Sequence, residues 1–220
     1  MSINDLIADG ETAALSEMEA RVLGSLMEKQ LTTPDTYPLT LNSLVIACNQ
    51  KTSREPVTNY NQGEVQACLS RLQDRKLVDV DYGARAQRYD QRLTWILGVN
   101  KSVQALLTIL LLRGPQTAGE LYTRTQRMAD FASVDDVEEQ LQHLCAKTAP
   151  LIVQLPRLPG QREERYMHLL CGAPDVEALA SQISQRKSAS GDLEERVAQL
   201  EQQVHSLQEE LAALKSRSNF

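Results

Sequence analysis

Two helix-start signatures set 72 residues apart constrain this chain most. Asn61 stands three residues before Glu64, and Ser133 three before Asp136, so each can cap a helix. An inward stripe follows each: Val65, Cys68, Leu69 and Leu72 in the first, Val137, Leu141, Leu144 and Cys145 in the second. What surrounds them recurs as well. Before Asn61, Ser16-x-x-Glu19 opens a helix with Met18, Val22, Leu23, Leu26 and Met27 on one face. After Pro34 and Pro38, a short helix starts near Thr40 and turns Leu41, Leu44, Val45 and Cys48 inward. Beyond the Asn61 helix the period changes. Leu77, Val78, Val80 and Tyr82 alternate with Asp79 and Asp81 as a strand, Gly83 marks a turn, and Arg88 to Ile96 reads as the return strand.

The second round follows the same order. Val103, Leu106, Leu107, Leu110 and Leu111 make a helix ended by Gly114-Pro115, Thr117-x-x-Glu120 opens a short second helix, and Ser133 opens the third. Leu151 to Leu155 is then a strand, Pro159-Gly160 the turn, and Arg165 to Leu170 the return. Three helices followed by a hairpin, twice over, is the order of two tandem winged helix-turn-helix domains. The predicted fold class is therefore mainly α with small β-hairpin wings; a single α+β domain would make the recurrence a coincidence. The implied boundaries are a flexible N-terminus over 1–14, a first winged-helix domain over 15–97 and a second over 98–172.

A helix and flexible joint are predicted over 173–191, with Val176, Leu179 and Ile183 on one face and Ser188-Ala189-Ser190-Gly191 as the joint. A coiled coil is predicted over 192–216. Leu193, Val197, Leu200, Val204, Leu207, Leu211 and Leu214 alternate spacings of four and three, with Leu at every d position, a pattern that favours a parallel two-stranded homodimer. A lone amphipathic helix folding back is the alternative, but a seam two residues wide is narrow for packing on a globular surface.

Composition excludes several classes. Of 220 residues, 42% are hydrophobic and only 4% aromatic, which supports a helical core of Leu, Val and Ala over a β-sandwich. The apolar run Ala105 to Leu112 is too short to span a membrane and Met1 to Thr12 lacks a signal-peptide pattern, so a cytoplasmic protein is expected. Cys48, Cys68, Cys145 and Cys171 form no CxxC pair and read as reduced core residues. The ten glycines build no phosphate loop, and neither G-x-S-x-G nor H-E-x-x-H occurs. His143, His168 and His205 are scattered. The chain is read as a non-enzyme without metal or cofactor.

Net charge is −6 and the pI near 5.2, so any nucleic-acid surface must be local. Residues 61–95 carry six Lys/Arg against five Asp/Glu, and the arginines fall on the Asn61 helix and its wing. In a DNA-bound winged helix the third helix enters the major groove and the wing touches phosphate. Candidate contacts are Gln62, Gln66, Ser70, Arg71, Arg75, Lys76, Arg85 and Arg88; Gln pairs with adenine edges, Arg with guanine or phosphate. An ordinary polar helix face would look similar. Asn49, Gln50, Lys51 and Arg54 precede the helix, with turn formation as their alternative. The Ser133 helix reads oppositely, because Asp135, Asp136, Glu138 and Glu139 would face phosphate with four negative charges. The wing arginines Arg157, Arg162 and Arg165 are offset by Glu163 and Glu164, so the second domain is better suited to docking or dimerising.

The stretch Thr33-Pro34-Asp35-Thr36-Tyr37-Pro38-Leu39-Thr40-Leu41-Asn42-Ser43-Leu44, with Ala47-Cys48-Asn49-Gln50-Lys51 and Arg54-Glu55-Pro56-Val57, resembles the signature of the YceH family of bacterial proteins. Leu112-Arg113-Gly114-Pro115-Gln116-Thr117, Gly119-Glu120-Leu121, Leu155-Pro156-Arg157 and Pro159-Gly160-Gln161-Arg162-Glu163 with Arg165-Tyr166 are similar to it too. The resemblance runs from about Met18 to Gly172 and implies a tandem winged-helix architecture; it brings no activity with it. The expectation is a homodimer that binds double-stranded DNA through its first domain in a regulatory role. The alternative is an adapter whose winged helices dock partner proteins, similar to acidic subunits of chromosome-segregation complexes.

Overall fold

The helix starts read from the sequence carry the caps their residues allow. In the computed structural model, which describes residues 14–83, 86–157, 163–178, 181 and 202–203, the Ser16 hydroxyl accepts from the Glu19 amide at 3.3 Å. The Glu19 carboxylate accepts from the Ser16 amide at 2.9 Å, and α1 runs over Glu17–Thr32. Thr40 caps α2 (Leu41–Cys48) and Asn61 caps α3 (Gln62–Asp74) with a reciprocal Glu64. Each cap satisfies amides that the first turn leaves without an intrahelical partner. Asn100 caps α5 (Lys101–Arg113), which ends at Gly114 with φ 72°; Thr117 caps α6 (Ala118–Thr125) and Ser133 caps α7 (Val134–Cys145). Between α3 and α5 lies α4 (Leu93–Leu97).

The strands are short and antiparallel. β2 (Val78–Asp81) pairs with β3 (Arg88–Gln91), and β3 also pairs with β1 (Leu39–Thr40), so the first sheet has the order β1-β3-β2. β4 (Ile152–Leu155) pairs with β5 (Arg165–His168). A single bridge from Gln116 to Tyr166, just ahead of α6, holds the place that β1 holds ahead of α2. Three helices and a hairpin thus occur twice, in a mainly helical molecule consistent with a winged helix.

One element departs from the sequence reading. The return strand expected over Arg88 to Ile96 stops at Gln91, and Leu93–Leu97 is helical. Thr94, Trp95 and Ile96 favour strands intrinsically, but the Gln91 side chain accepts from the Thr94 amide at 3.1 Å and Gly98 closes the turn at φ 61°. Burial of Leu93 and Leu97 then fixes the helical register, tertiary context overriding a weak propensity.

Contacts divide the chain after Pro174 into two units. In the first, α1 and α5 pack against each other more extensively than any other described helix pair, and both are buried almost all round, from Glu19 to Glu28 and from Val103 to Leu112. Gly24 permits the approach, since a Cβ there would lie 3.0 Å from Leu112 Cδ2 and 3.1 Å from Leu111 Cβ. The Gln30 amide oxygen accepts from both Gln91 and Gln104 at 2.8 Å, and the Glu55 amide donates to the Leu112 carbonyl at 2.8 Å. In the second unit, the Asp175 side chain accepts from the Ala178 amide at 2.9 Å. The heptad positions from Leu193 to Leu214 lie outside the described residues, as do Arg85 and the Pro159-Gly160 turn. No described helix is long and apolar enough to cross a membrane.

His168, at the end of β5, is 5% exposed, and burial pushes its imidazole pKa down from 6.5 to about 4. The unfolded chain takes up a proton there that the native fold refuses, so this residue's contribution to stability is lost as pH falls from about 6.5 towards about 4. The loss amounts to ~3 kcal/mol at most. Urea unfolding followed from pH 7 to pH 4 should show a gentler decline in His168→Gln than in the parent. An equal decline in both would show that His168 is not held neutral.

Candidate nucleic-acid interface

α3 places its side chains by a simple division. Val65, Cys68, Leu69 and Leu72 are fully buried, which leaves Gln62, Ser70 and Arg71 exposed. Gln66 is half-buried, and its side-chain oxygen lies 3.2 Å from the hydroxyl of Tyr89, a β3 residue only 1% exposed. That contact ties α3 to the hairpin and takes Gln66 partly out of reach of a ligand.

The cations predicted to join this face divide between surface and interior. Arg71 and Lys76 are exposed, and Lys76 holds the left-handed position after α3 at φ 58° while the Leu77 amide returns to the Leu72 carbonyl at 2.8 Å. Arg75 turns toward α1, with Nη1 3.0 Å from Glu19 Oε2, the carboxylate that completes the Ser16 cap. Arg88 is half-buried and donates to the Pro38 carbonyl at 2.8 Å. Beside the hairpin, Arg92 stacks 5.2 Å over the ring of Trp95 and lies 3.3 Å from Asp79. The spacing of Arg71 and Arg75 suggests one shared face; the structure sends them apart, because Arg75 sits at the C-cap within reach of Glu19.

The turn before α3 is mostly architecture. The Asn49 side chain accepts from the Tyr60 amide at 2.8 Å and donates to the Tyr60 carbonyl at 2.7 Å. Arg54 is buried, with Nη1 and Nη2 3.1 and 2.6 Å from the two Glu28 oxygens and Nε 2.9 Å from the Ala47 carbonyl. Burial works to raise the Glu28 carboxyl pKa, but Arg54 and then Lys29 outweigh it and hold it below the usual range. Arg21 is buried at mid-α1 and donates to the Pro56 carbonyl at 2.7 Å. Nothing in the local sequence separates Arg21 from a surface arginine, since its carbonyl partners are 27 to 35 residues away.

On α7, Asp135, Glu138 and Glu139 are exposed and Asp136 accepts from the Ala132 amide at 3.1 Å, so that surface is acidic as read. The second hairpin's arginines are paired, Arg165 bidentately with Glu120 at 2.8 and 3.3 Å and Arg157 with Glu164 at 3.5 Å. The partner of Arg165 is thus on α6 and not on the wing; Arg162 lies outside the described residues. Burial pushes the thiols of Cys48 and Cys171 up to about 11 and that of Cys68 up to about 12, leaving them protonated and inert near neutrality.

Comparison with known proteins sets this surface in a family. A family model described as "Protein of unknown function, DUF480" matches residues 15–161, more than half of the chain. A UPF0502 protein of Cellvibrio japonicus is 62% identical over 208 residues, covering 93% of this chain and 95% of that protein. The UPF0502 protein mll4256 of Mesorhizobium japonicum is 47% identical over 200 residues, covering 91% and 96%. The UPF0502 protein XOO0224 of Xanthomonas oryzae is 48% identical over 214 residues, covering 94% and 96%. With a family model over more than half of its length and relatives that match it nearly end to end, the chain belongs to the YceH/UPF0502 family.

Proposed function

We propose that the protein is a tandem winged-helix DNA-binding regulator that grips duplex through α3 and the β2–β3 hairpin, and pairs with a second copy through its C-terminal heptad. The observation that supports this most is on α3, where Ser70 and Arg71 are exposed side by side away from a fully buried stripe and Gln62 is exposed at the first turn. Gln62 has the donor and acceptor set to read a base edge, and Arg71 with Lys76 supplies charge for guanine or phosphate. The acidic surface of α7 would repel phosphate, so the second set of helices serves docking.

Titration of a labelled duplex library into the full chain at low and moderate salt tests this, and two chains per bound duplex are expected. Replacing Arg71 and Lys76 by Ala should lower the slope of log K against log salt by about one unit per lost phosphate contact. Absence of duplex binding at low salt would sink the DNA reading. The adapter reading would then take its place, favoured by the internal engagement of Arg75 and Arg88 and by the exposure of Ile46, Val57, Tyr82 and Trp95.

A further inference from the structure

The C-terminal ends of α1, α5 and α6 and the turn between α2 and α3 surround a cleft of about 460 Å³. Five of its lining residues are cationic, namely Lys29, Lys51, Arg113, Arg124 and Arg127, while Glu28 is its one lining carboxylate. The excess is unusual for a chain whose net charge is −6. Part of it has a local explanation, since Lys29, Arg113 and Arg124 stand in the last turns of three helices, whose ends each carry about half a negative charge. Nearby carboxylates take a further share. Glu28 is held by Arg54 at 2.6 Å and Lys29 at 3.0 Å, and Glu120 lies 3.7 Å from Arg124 but is already bidentate with Arg165. Counting Arg54 with the cations and Glu55 with Glu28 and Glu120, six positive groups meet three negative ones, and the helix ends offset only about half of that difference. Lys51 and Arg127 are exposed and form no ion pair among the described residues.

Two lining residues keep donors without an acceptor among the described residues. The Nε of Arg113 is buried with no hydrogen-bond partner among the described residues, while its Nη2 donates to the Ser53 hydroxyl at 2.8 Å. Ser53 therefore keeps its own hydroxyl proton for another acceptor. Burial first, and the neighbouring Arg124 charge second, push the Arg113 guanidinium pKa down, against the opposing pull of Glu55 and Glu28. Ile109 and Met128 give the cleft an apolar portion. Its volume falls within the range of small-molecule sites, and clustered arginine forks with a lysine are what polyanionic phosphate recognition requires.

We propose that this cleft binds a small molecule of nucleotide size carrying two or more phosphate groups, an effector site separate from the exposed face of α3. The phosphates lie against Arg113, Arg124, Arg127 and Lys51, and the apolar portion of the ligand lies toward Ile109 and Met128. The site does not depend on the DNA reading, because its probe is a free phosphate compound.

Calorimetric titration of the full chain with sodium triphosphate, and separately with adenosine triphosphate, tests it. One site per chain is expected, with Kd below about 1 mM in low salt. The double variant Lys51→Ala/Arg127→Ala should weaken binding by about tenfold or more. Both side chains are exposed, so its melting temperature should match the parent's, and Arg71→Ala on α3 should leave the affinity unchanged. No heat with either probe up to about 5 mM, or equal affinity in the double variant, overturns the proposal. If a short duplex displaces triphosphate and the double variant loses duplex binding as well, the phosphates recognised here belong to nucleic acid, and the small-molecule site is overturned while DNA binding stands.

Discussion

Replacing Arg54 by Met should destabilise the protein by ~3–5 kcal/mol, the usual cost of stranding one partner of a buried ion pair. The Arg54 side chain is fully buried; it meets Glu28 bidentately and also donates to the Ala47 and Ser53 carbonyls at 2.9 Å. Its removal leaves a carboxylate and two carbonyls short of donors at the point where α1, α2 and the following turn meet. Lys29, 3.0 Å from Glu28, can offset part of the loss, which places the expectation toward the lower end of the range. The double variant Glu28→Leu/Arg54→Met should recover the part of the loss due to the stranded carboxylate, because an apolar pair needs no counter-charge, while the Ala47 and Ser53 carbonyls stay short of a donor. Denaturant unfolding of the two variants decides the matter; equal losses would show that the stranded Glu28 carboxylate is not the source of the cost. The pH dependence has a definite sign. The Glu28 carboxyl is held below its usual pKa in the native protein, so its contribution is complete above the unfolded value and is lost as pH falls through the native one. The single Arg54→Met variant should lose this acid sensitivity.

Gly24→Val should cost ~3 kcal/mol and loosen the junction between the two sets of helices. The gain in helix propensity on replacing Gly by Ala is about 1 kcal/mol, so an exposed glycine here would be improved by substitution. Gly24 is buried, however, and a Cβ would meet Leu111 Cβ at 3.1 Å, an atom fixed to the backbone of α5 that cannot rotate away. Gly24→Ala is therefore expected to be mildly destabilising despite its better propensity, and the two further methyl groups of Val force α1 and α5 apart. The midpoint of urea unfolding should fall in both variants, further for Val, at an unchanged m-value. A Val variant as stable as the parent would mean that α1 and α5 do not approach this closely.

The first- and second-order features of the fold were legible for a local reason. Ser16, Thr40, Asn61, Thr117 and Ser133 sit where caps form because a cap needs only a side-chain oxygen and an amide two or three residues on. The short strand β1 was not legible, since two residues carry no period and their partners are Tyr89 and Arg88, far along the chain. The helix at Leu93–Leu97 was misread because its strand-forming residues are overruled by a glutamine side chain and by burial. On α3 the sequence placed Gln62, Ser70 and Arg71 outside the buried stripe, and all three are exposed. It could not divide the arginines, because Glu19 and the Pro38 carbonyl, which take Arg75 and Arg88, lie 56 and 50 residues away.

Local chemistry, then, was determined by the sequence alone: the period of the longer described helices, their caps, the acidity of α7, the family motifs and the heptad pattern from Leu193 to Leu214. Those properties depend on neighbours within a few residues, where geometry is nearly fixed once a helix or strand forms. Tertiary structure alone decided which charges are spent inside and which remain outside. Arg21 and Arg54 are spent on carbonyls and a carboxylate brought together by the packing of α1 on α2, whereas Arg113, Arg124 and Arg127 gather around one cleft because three helix ends converge there. Burial and charge pairing are properties of contacts between distant segments, and their energies depend on the desolvation that only a packed interior imposes.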